Sequence, residues 1–196
     1  MGVFLETERL ILRRFTEADV DNLVDLDADP QVMFYINAGE PTPRSEVEAS
    51  VLPRFLWYYE TFPAWGFFAA IERATGDFIG WFHLRPDPDH GRSDEPELGY
   101  RLRRSAWGKG FATEGSQALV DLAFADLGAA RVFATTMAVN AASRRVMEKA
   151  GLRFVRAFRA DWPVRIPGDE HGDVEYALTR DEWERDRPRP GAPGGR

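Results

Sequence analysis

A glycine-rich segment at residues 107–112 has the residue types of an anion-binding loop, and we name it the cradle loop. Glycine at positions 108 and 110 allows backbone amides to approach a ligand with no Cβ in the way. The helix predicted to follow adds free N-terminal amides and their partial positive charge. The nearby charged side chains are four cations and one carboxylate, namely Arg101, Arg103, Arg104, Lys109 and Glu97. The segment therefore predicts a phosphate-binding site in a chain that is acidic as a whole.

Two other nucleotide-binding loops fit the cradle loop less well. A Walker loop is excluded because Gly110 follows Lys109 where serine or threonine is required, and no glycine stands five residues before Gly108. The dinucleotide fingerprint fits in part, since Thr113 stands where its third glycine or alanine belongs. A glycine-rich connection without a ligand is the remaining alternative.

Seven segments have the pattern of β-strands, and one of them leads into the cradle loop. They cover residues 9–15, 65–72, 78–84, 97–103, 131–137, 152–159 and 173–178. The second and third segments predict an antiparallel hairpin, which argues against a doubly wound parallel sheet.

Helices are predicted from capping residues and apolar periodicity. Thr16 with Asp19 opens a first, acidic helix, and Ser45 with Glu48 opens a second helix that continues past Pro53. Residues 112–127 form a mostly buried helix, residues 141–150 form a short one, and residues from 179 begin a final helical turn. Asn140 caps the short helix.

The composition predicts one globular domain at residues 1–186 and a disordered Pro/Gly tail at 187–196. The 25 basic and 32 acidic residues give a net charge of -7, which disfavours nucleic acid as a partner. With no cysteine in the chain, disulfides and an acyl-cysteine intermediate are excluded. His83 and His90 have no metal-ligand partners at a usual spacing, so no metal is expected. No apolar run approaches the roughly 20 residues of a membrane span, and a cytoplasmic location is expected.

Three blocks of sequence follow one another in the second half of the chain. They are Glu97-Leu-Gly-Tyr-Arg-Leu, then Trp107-Gly-Lys-Gly-Phe-Ala-Thr-Glu-Gly, and then Asn140-Ala-Ala-Ser143 continuing to Glu148-Lys-Ala-Gly-Leu152. In order and spacing they resemble the GNAT superfamily of acetyl-CoA-dependent N-acetyltransferases, and within it the Rim-type branch that acetylates ribosomal-protein N-termini. The resemblance extends from Thr7 to about Trp183. It implies an α+β fold with a mixed, mostly antiparallel sheet of six or seven strands and helices on both faces.

The resemblance implies acetyl-CoA as cosubstrate, with its pyrophosphate on the backbone amides of the cradle loop. The family signature maps to Trp107, Gly110 and Ala112, and Trp107 departs from the superfamily consensus of glutamine or arginine. The cofactor-binding residues so implied are Arg101, Leu102, Arg103, Arg104, Trp107, Gly108, Lys109, Gly110, Phe111, Ala112, Thr113, Asn140 and Lys149.

The resemblance also implies direct transfer, in which a primary amine attacks the thioester and the tetrahedral intermediate expels the CoA thiolate. Ser143 matches the family's Asn-x-x-Ser position and is the first choice for the acid; a purely helix-capping role is its alternative. Asn140 is expected to orient the pantetheine arm or the start of its helix. Glu97 ranks above Asp161 as the base, although carboxylates at such positions are more often solvated surface groups. The amide that receives the carbonyl oxygen is expected near residues 101 and 102.

The acceptor is expected to be a primary amine, either a protein N-terminus or a small cationic molecule. The acidic first helix and the late residues Asp161, Asp169 and Glu170 suggest attraction to a cation, although an acidic helix face is commonly only a solubilising surface. Neither nucleic acid nor a membrane is an expected partner, and the protein is expected to be a monomer or a homodimer. A non-catalytic acyl-CoA-binding regulatory module and a dinucleotide-binding protein are the alternatives.

Overall fold

The structure, a computed structural model, describes residues 2–86, 92–162 and 164–186. The strands are β1 (Val3–Glu6), β2 (Leu10–Arg14), β3 (Gly66–Glu72), β4 (Phe78–Arg85), β5 (Glu97–Leu102), β6 (Arg131–Met137), β7 (Arg153–Phe158) and β8 (Asp173–Thr179). The helices are α1 (Val20–Asp27), α2 (Pro30–Asn37), α3 (Arg44–Glu46), α4 (Leu52–Thr61), α5 (Phe111–Ala125), α6 (Ala141–Lys149) and α7 (Arg180–Asp186). His90 and the tail predicted at 187–196 lie outside the described residues.

The described strands form one sheet in the order β1-β2-β3-β4-β5-β6-β8-β7. Every neighbouring pair is antiparallel except β5 and β6, which run parallel. The α+β class with a mostly antiparallel mixed sheet is therefore confirmed. The expected number of six or seven strands was wrong, because the sheet has eight.

The additional strand, β1, lies at one edge of the sheet and pairs with β2. It has only four residues and no regular alternation of apolar and polar side chains, so its pattern does not predict a strand. Tertiary packing stabilises it instead. The Phe4 ring stacks on Phe68 of β3 at a centroid distance of 3.9 Å.

Two hydrophobic cores lie on the two faces of the sheet, in agreement with the expected helices on both faces. On one face, Phe82 of β4 and Leu98 of β5 pack in the core that contains Phe111 and Leu119 of α5. On the other face, the core joins α1 and α4 to the side chains of β3 and β4 that lie on that face. Its buried members include Leu23, Leu26, Phe55, Tyr58, Phe67 and Trp81.

Helix α2 is a further element that was not predicted. Its start signals are present, since Pro30 occupies the first turn and the Asp29 carboxylate accepts a hydrogen bond from the Gln31 amide at 2.9 Å. Its apolar residues run nearly without interruption and leave Phe34 and Ile36 exposed, so no helical period is visible. The helix ends at Ala38, which has a left-handed φ of 66°.

The predicted second helix begins one residue before Ser45 and contains a wide turn. Helix α3, a π-helical turn at Val47–Val51 and α4 follow one another without a break. The wide turn comes immediately before Pro53, which has no amide hydrogen for the helical ladder. This local widening lets the helix continue past the proline.

The capping predictions for the first helix and for α6 are confirmed. Thr16 and Asp19 form the capping box, and the Asn140 side chain accepts a hydrogen bond from the Ser143 amide at 3.1 Å. Within the described residues, no helix is long and apolar enough to cross a membrane. That part of the chain also contains no cluster of three or more His, Asp or Glu side chains able to hold a metal ion.

Candidate active site

Strands β5 and β6 separate after a single paired position and leave a cleft between them. Glu97 pairs with Phe133, and no later residue of β5 is in register with β6. The backbone groups of β5 that face β6 beyond this point therefore have no strand partner. A cavity of about 940 Å³ fills the opening, and its lining includes residues of β4, β5, β6, α2, α5 and α6.

The cradle loop closes one end of this cavity and leads into α5. Gly108 and Gly110 have left-handed φ angles of 72° and 87°, which glycine adopts without strain. Within the described residues, the backbone amides of residues 108–113 have no hydrogen-bond partner. These amides are the free donors that an anion requires at a helix N-terminus. The cavity lining includes Trp107, Gly108, Gly110, Phe111, Ala112 and Thr113.

Side chains from β5 and the N-terminal segment hold the cradle loop in place. The Trp107 indole donates to the Leu102 carbonyl at 2.9 Å, so both residues serve the loop structurally. The Arg9 guanidinium donates to the Lys109 carbonyl at 2.9 Å and to Glu114 at 2.6 Å. Burial acts to raise the pKa of Glu114, but hydrogen bonds from Thr7 and Arg9 hold this pKa below its usual value. Glu114 is therefore a fixed anion that braces α5 against the N-terminal strand pair.

The three arginines predicted to attract phosphate instead pair with the acidic first helical region. Arg101 donates to Asp27 at 2.6 Å, and both side chains are largely buried. Arg103 also forms an ion pair with Asp25 at 3.8 Å, and Arg104 forms one with Asp29 at 3.3 Å. Because these aspartates compensate the charges of the three arginines, positive charge at the cavity must come from other elements. Arg145 and Lys149 of α6 both line the cavity and are exposed.

Ser143 lies in the first turn of α6 and lines the cavity beside Asn140. Tyr100, which extends from β5, lines the same cavity. Burial raises the pKa of Tyr100, and interaction with the Ser143 hydroxyl opposes this only in part, so the phenol is protonated at neutral pH. Two hydroxyls from opposite walls therefore line the cleft near each other and can carry a proton.

Glu97 stands at the point where β5 and β6 separate, and it lines the cavity. Its Oε2 accepts a hydrogen bond from Arg85 at 2.7 Å, and its Oε1 accepts one from Thr135 at 3.3 Å. The Nε2 of His83 is 3.6 Å from the same carboxylate. Burial, together with repulsion from Arg85, Arg54 and Arg101, holds the pKa of His83 well below its usual value. The imidazole is therefore neutral at pH 7.

Asp161, the second carboxylate considered as a base, is not brought into this arrangement. It is exposed in the connection between β7 and β8, and the cavity lining contains its neighbour Trp162 but not Asp161. In the acidic first helical region, the carboxylates at positions 19, 21, 25, 27 and 29 are ion-paired with arginines of the same chain, and Glu17 is exposed.

Several residues of the site were not identified from sequence. Tyr100 lies inside a block that carries the family resemblance, and Arg9 belongs to the segment where the resemblance begins. The resemblance could therefore have identified both residues. His83 and Trp81 were recognisable only from strand pairing. Trp81 is opposite Arg101, and His83 is opposite Gly99, so alternate residues of β4 and β5 share one face of the sheet.

Comparisons with known proteins agree with this geometry. The family model described as an acetyltransferase (GNAT) domain matches residues 9–153. The chain is 37% identical over 184 residues to the FsC-acetyl coenzyme A-N(2)-transacetylase of Aspergillus fumigatus, covering 91% of this chain and 77% of that protein. Among solved structures, a GNAT-family acetyltransferase from Bacillus anthracis has a TM-score of 0.71 at 24% identity, covering 93% of this chain and all of that one. RimL, a ribosomal L7/L12 alpha-N-protein acetyltransferase in complex with coenzyme A, has a TM-score of 0.74 at 18% identity, with coverages of 91% and 98%.

Proposed function

Because the chain belongs to the GNAT acetyltransferase family and is an acetyl-CoA-dependent N-acetyltransferase, we propose that its acceptor is a primary amine that attacks the acetyl thioester directly. The observation that carries this proposal is that one cavity brings together the cradle loop, the hydroxyl of Ser143 and the carboxylate of Glu97. These groups supply, in one place, an anion site, a proton donor and a proton acceptor.

The free amides of residues 108–113 fit the pyrophosphate of acetyl-CoA. Arg145 and Lys149 line the cavity from α6 and add positive charge near it. The gap between β5 and β6 accommodates the pantetheine arm, since β5 and β6 share no pairing there. Asn140 serves mainly to cap α6, and through that cap it fixes the position of Ser143.

Proton removal from the acceptor is assigned to Glu97. An alkyl ammonium must lose a proton before its nitrogen can attack, and the Glu97 carboxylate lines the same cavity. The nitrogen lone pair then forms a bond to the thioester carbon. Unpaired backbone amides of β5 that face the cleft are the proposed donors to the carbonyl oxygen, which becomes negative as this bond forms.

Protonation of the leaving sulfur is assigned to Ser143. As the carbon–sulfur bond breaks and the carbonyl re-forms, the thiolate takes the Ser143 proton. The nitrogen loses its second proton, which restores the Ser143 hydroxyl through the neighbouring Tyr100 hydroxyl, and Glu97 releases the first proton to solvent. The products are the N-acetylated acceptor and CoA. No cysteine exists in the chain to form an acyl-enzyme, which supports a single direct transfer.

The identity of the acceptor is proposed only to the level of a primary amine. The name of the Aspergillus fumigatus relative states transfer to an N(2) nitrogen, which supports an amino group as acceptor. A protein N-terminus, the acceptor of the Rim-type branch, remains one candidate. It is supported only by the three sequence blocks, because the similarity to RimL concerns the fold alone.

The test combines acetyl-CoA with a panel of primary amines, each paired with its N,N-dimethyl derivative. We expect CoA release and an acetylated product, identified by mass spectrometry, for primary amines and none for the tertiary partners. Binding of acetyl-CoA without a product from any amine would contradict the proposal. That outcome would favour the alternative of a non-catalytic acyl-CoA-binding module.

A further inference from the structure

Buried donors without partners are concentrated on the part of the cavity wall formed by β4 and β5. We name this surface the donor patch, and it consists of Trp81, His83 and Arg101 on the wall together with their neighbour Arg85, which does not line the cavity. Within the described residues, no hydrogen-bond partner is found for Trp81 Nε1, Arg85 Nε, Arg101 Nε or either ring nitrogen of His83. Trp81, His83 and Arg101 line the cavity, and Trp81 is 8% exposed.

Strand register explains why these groups lie together. Trp81 is opposite Arg101, and Arg85 is opposite Glu97, on the antiparallel pair of β4 and β5. The Arg101 guanidinium lies over the Trp81 indole at 5.1 Å, and the Trp81 and His83 rings stack at 5.8 Å. The donor patch is therefore a continuous surface and not a set of separate defects.

The chemistry of the donor patch specifies what it lacks. The indole and guanidinium nitrogens only donate hydrogen bonds, and a buried donor without an acceptor costs free energy. The nearby carboxylates, Asp27 and Glu97, already accept bonds from Arg101 and Arg85. The charged groups that depress the pKa of His83 are all arginines.

A cationic amine alone does not satisfy such a surface, because an ammonium group has donors and no acceptor. A carboxylate has two oxygens that accept several hydrogen bonds, and a bond from a guanidinium to a carboxylate is charge-assisted and therefore strong. We propose that the acceptor is a small amine that also carries a carboxylate, bound by the donor patch through Trp81 and Arg101 while its amino group meets Glu97. This inference rests on the proposed function and specifies its substrate class.

Binding measurements test the proposal independently of turnover. The probes are L-phenylalanine against 2-phenylethylamine, and L-lysine against 1,5-diaminopentane, titrated by calorimetry into the protein with CoA present. The two compounds of each pair differ only in the presence of the carboxylate. We expect each amino acid to bind at least about ten-fold more tightly than its decarboxylated partner, the usual size of a hydrogen bond to a charged group. Equal or tighter binding of the decarboxylated amines overturns the proposal.

A substitution locates the effect. Trp81→Phe removes the indole donor and retains an aromatic ring, and Trp57→Phe on the exposed side of α4 is its matched control. We expect Trp81→Phe to abolish most of the preference for L-phenylalanine, and in turnover to raise KM for the amino acid with little change in kcat. An unchanged preference, with an unchanged melting temperature, contradicts the role of Trp81.

Two further outcomes are decisive. L-Phenylalaninamide keeps a carbonyl oxygen but has no negative charge. If it binds as tightly as L-phenylalanine, the acceptor does not need a carboxylate, and a peptide N-terminus is favoured instead. Selective binding of amino acids without any acetylated product supports the donor patch and contradicts the proposed function. The two claims therefore fail separately.

Discussion

At the scale of single residues, Ser143 is the proposed acid and lines the same cavity as the phenol of Tyr100. We predict that Ser143→Ala lowers kcat by about 10²-fold or more, because the thiolate then leaves without a positioned proton donor. The KM for acetyl-CoA is expected to change little, since the cradle loop remains intact. Steady-state kinetics with the exposed Ser45→Ala as control measure this, and an unchanged kcat would assign Ser143 to helix capping alone.

Glu97 allows a sharper prediction, because its proposed task depends on pH. Glu97→Gln is expected to lower kcat/KM by about 10²-fold or more at neutral pH, where an alkyl amine is mostly protonated. The deficit is expected to shrink as the pH approaches the pKa of the amine, since the free base then needs no proton acceptor. A pH–rate profile of both proteins checks this. The proposal fails for Glu97 if the variant matches the wild type at every pH.

The sequence carried information on single residues to different degrees. Ser143, Asn140 and Glu97 follow from local blocks and all three line the cavity. Asp161 was selected by its position after a strand, and nothing in that position told whether its loop turns toward the cavity. Arg101 was predicted to attract phosphate from its charge near the cradle loop, and its ion-pair partner Asp27 is 74 residues away in the chain. Such a pairing becomes visible only after folding.

At the scale of elements, a buried ion pair attaches α1 to β5 and an exposed ion pair attaches α1 to α3. Arg101 and Asp27 are 15% and 3% exposed, whereas Arg44 and Asp21 are 53% and 79% exposed. We predict that Asp27→Asn lowers the free energy of unfolding by about 3–5 kcal/mol, because a buried guanidinium loses its partner charge. Asp21→Asn is expected to change it by less than about 1 kcal/mol.

Urea unfolding of the two variants measures this difference. Similar losses from Asp27→Asn and Asp21→Asn would contradict the structural role assigned to the buried pair. A structural role is an alternative explanation for the acidity of α1, beside attraction of a cationic acceptor. Asp21 pairs with Arg44 of α3 and Asp27 pairs with Arg101 of β5, and the sequence pattern could not distinguish such pairing from attraction of a cationic substrate.

Elements with strong local signals were predicted well, and elements that depend on packing were not. Helix α6 was located by Asn140 and Gly151, which has a φ of 94° as a helix-ending glycine requires. Strand β1 and helix α2 have no clear period, so the sequence offered no pattern to recognise. The separation of β5 from β6 has no signal of its own in residue spacing.

At the scale of the whole molecule, ion-paired carboxylates make stability dependent on acid pH. Asp19, Glu114 and Glu175 all have pKa values below the usual 3.8 or 4.5; burial opposes this shift, and hydrogen bonds from arginine and neighbouring groups outweigh it. A carboxyl whose pKa is lower when folded stabilises the fold above the unfolded pKa. That contribution is lost as the pH falls through the folded pKa.

We therefore predict that the free energy of unfolding decreases as the pH drops below about 4.5. Glu175 is bonded to Arg156 and Arg131, so Glu175→Gln is expected to flatten part of this decrease. Chemical denaturation at several acid pH values measures the effect, with exposed Glu60→Gln as control. Stability that is independent of pH in this range would show that these pairs contribute little.

The central claim is that the cradle loop binds acetyl-CoA in the cleft where β5 and β6 separate. The most direct test is calorimetric titration of acetyl-CoA into the wild type, Gly110→Glu and Gly76→Glu. Both glycines have left-handed φ angles, 87° and 76°, so backbone strain is matched while only Gly110 lies at the cavity. We predict that Gly110→Glu abolishes binding and Gly76→Glu retains it. Equal acetyl-CoA affinity of Gly110→Glu and the wild type would contradict the account.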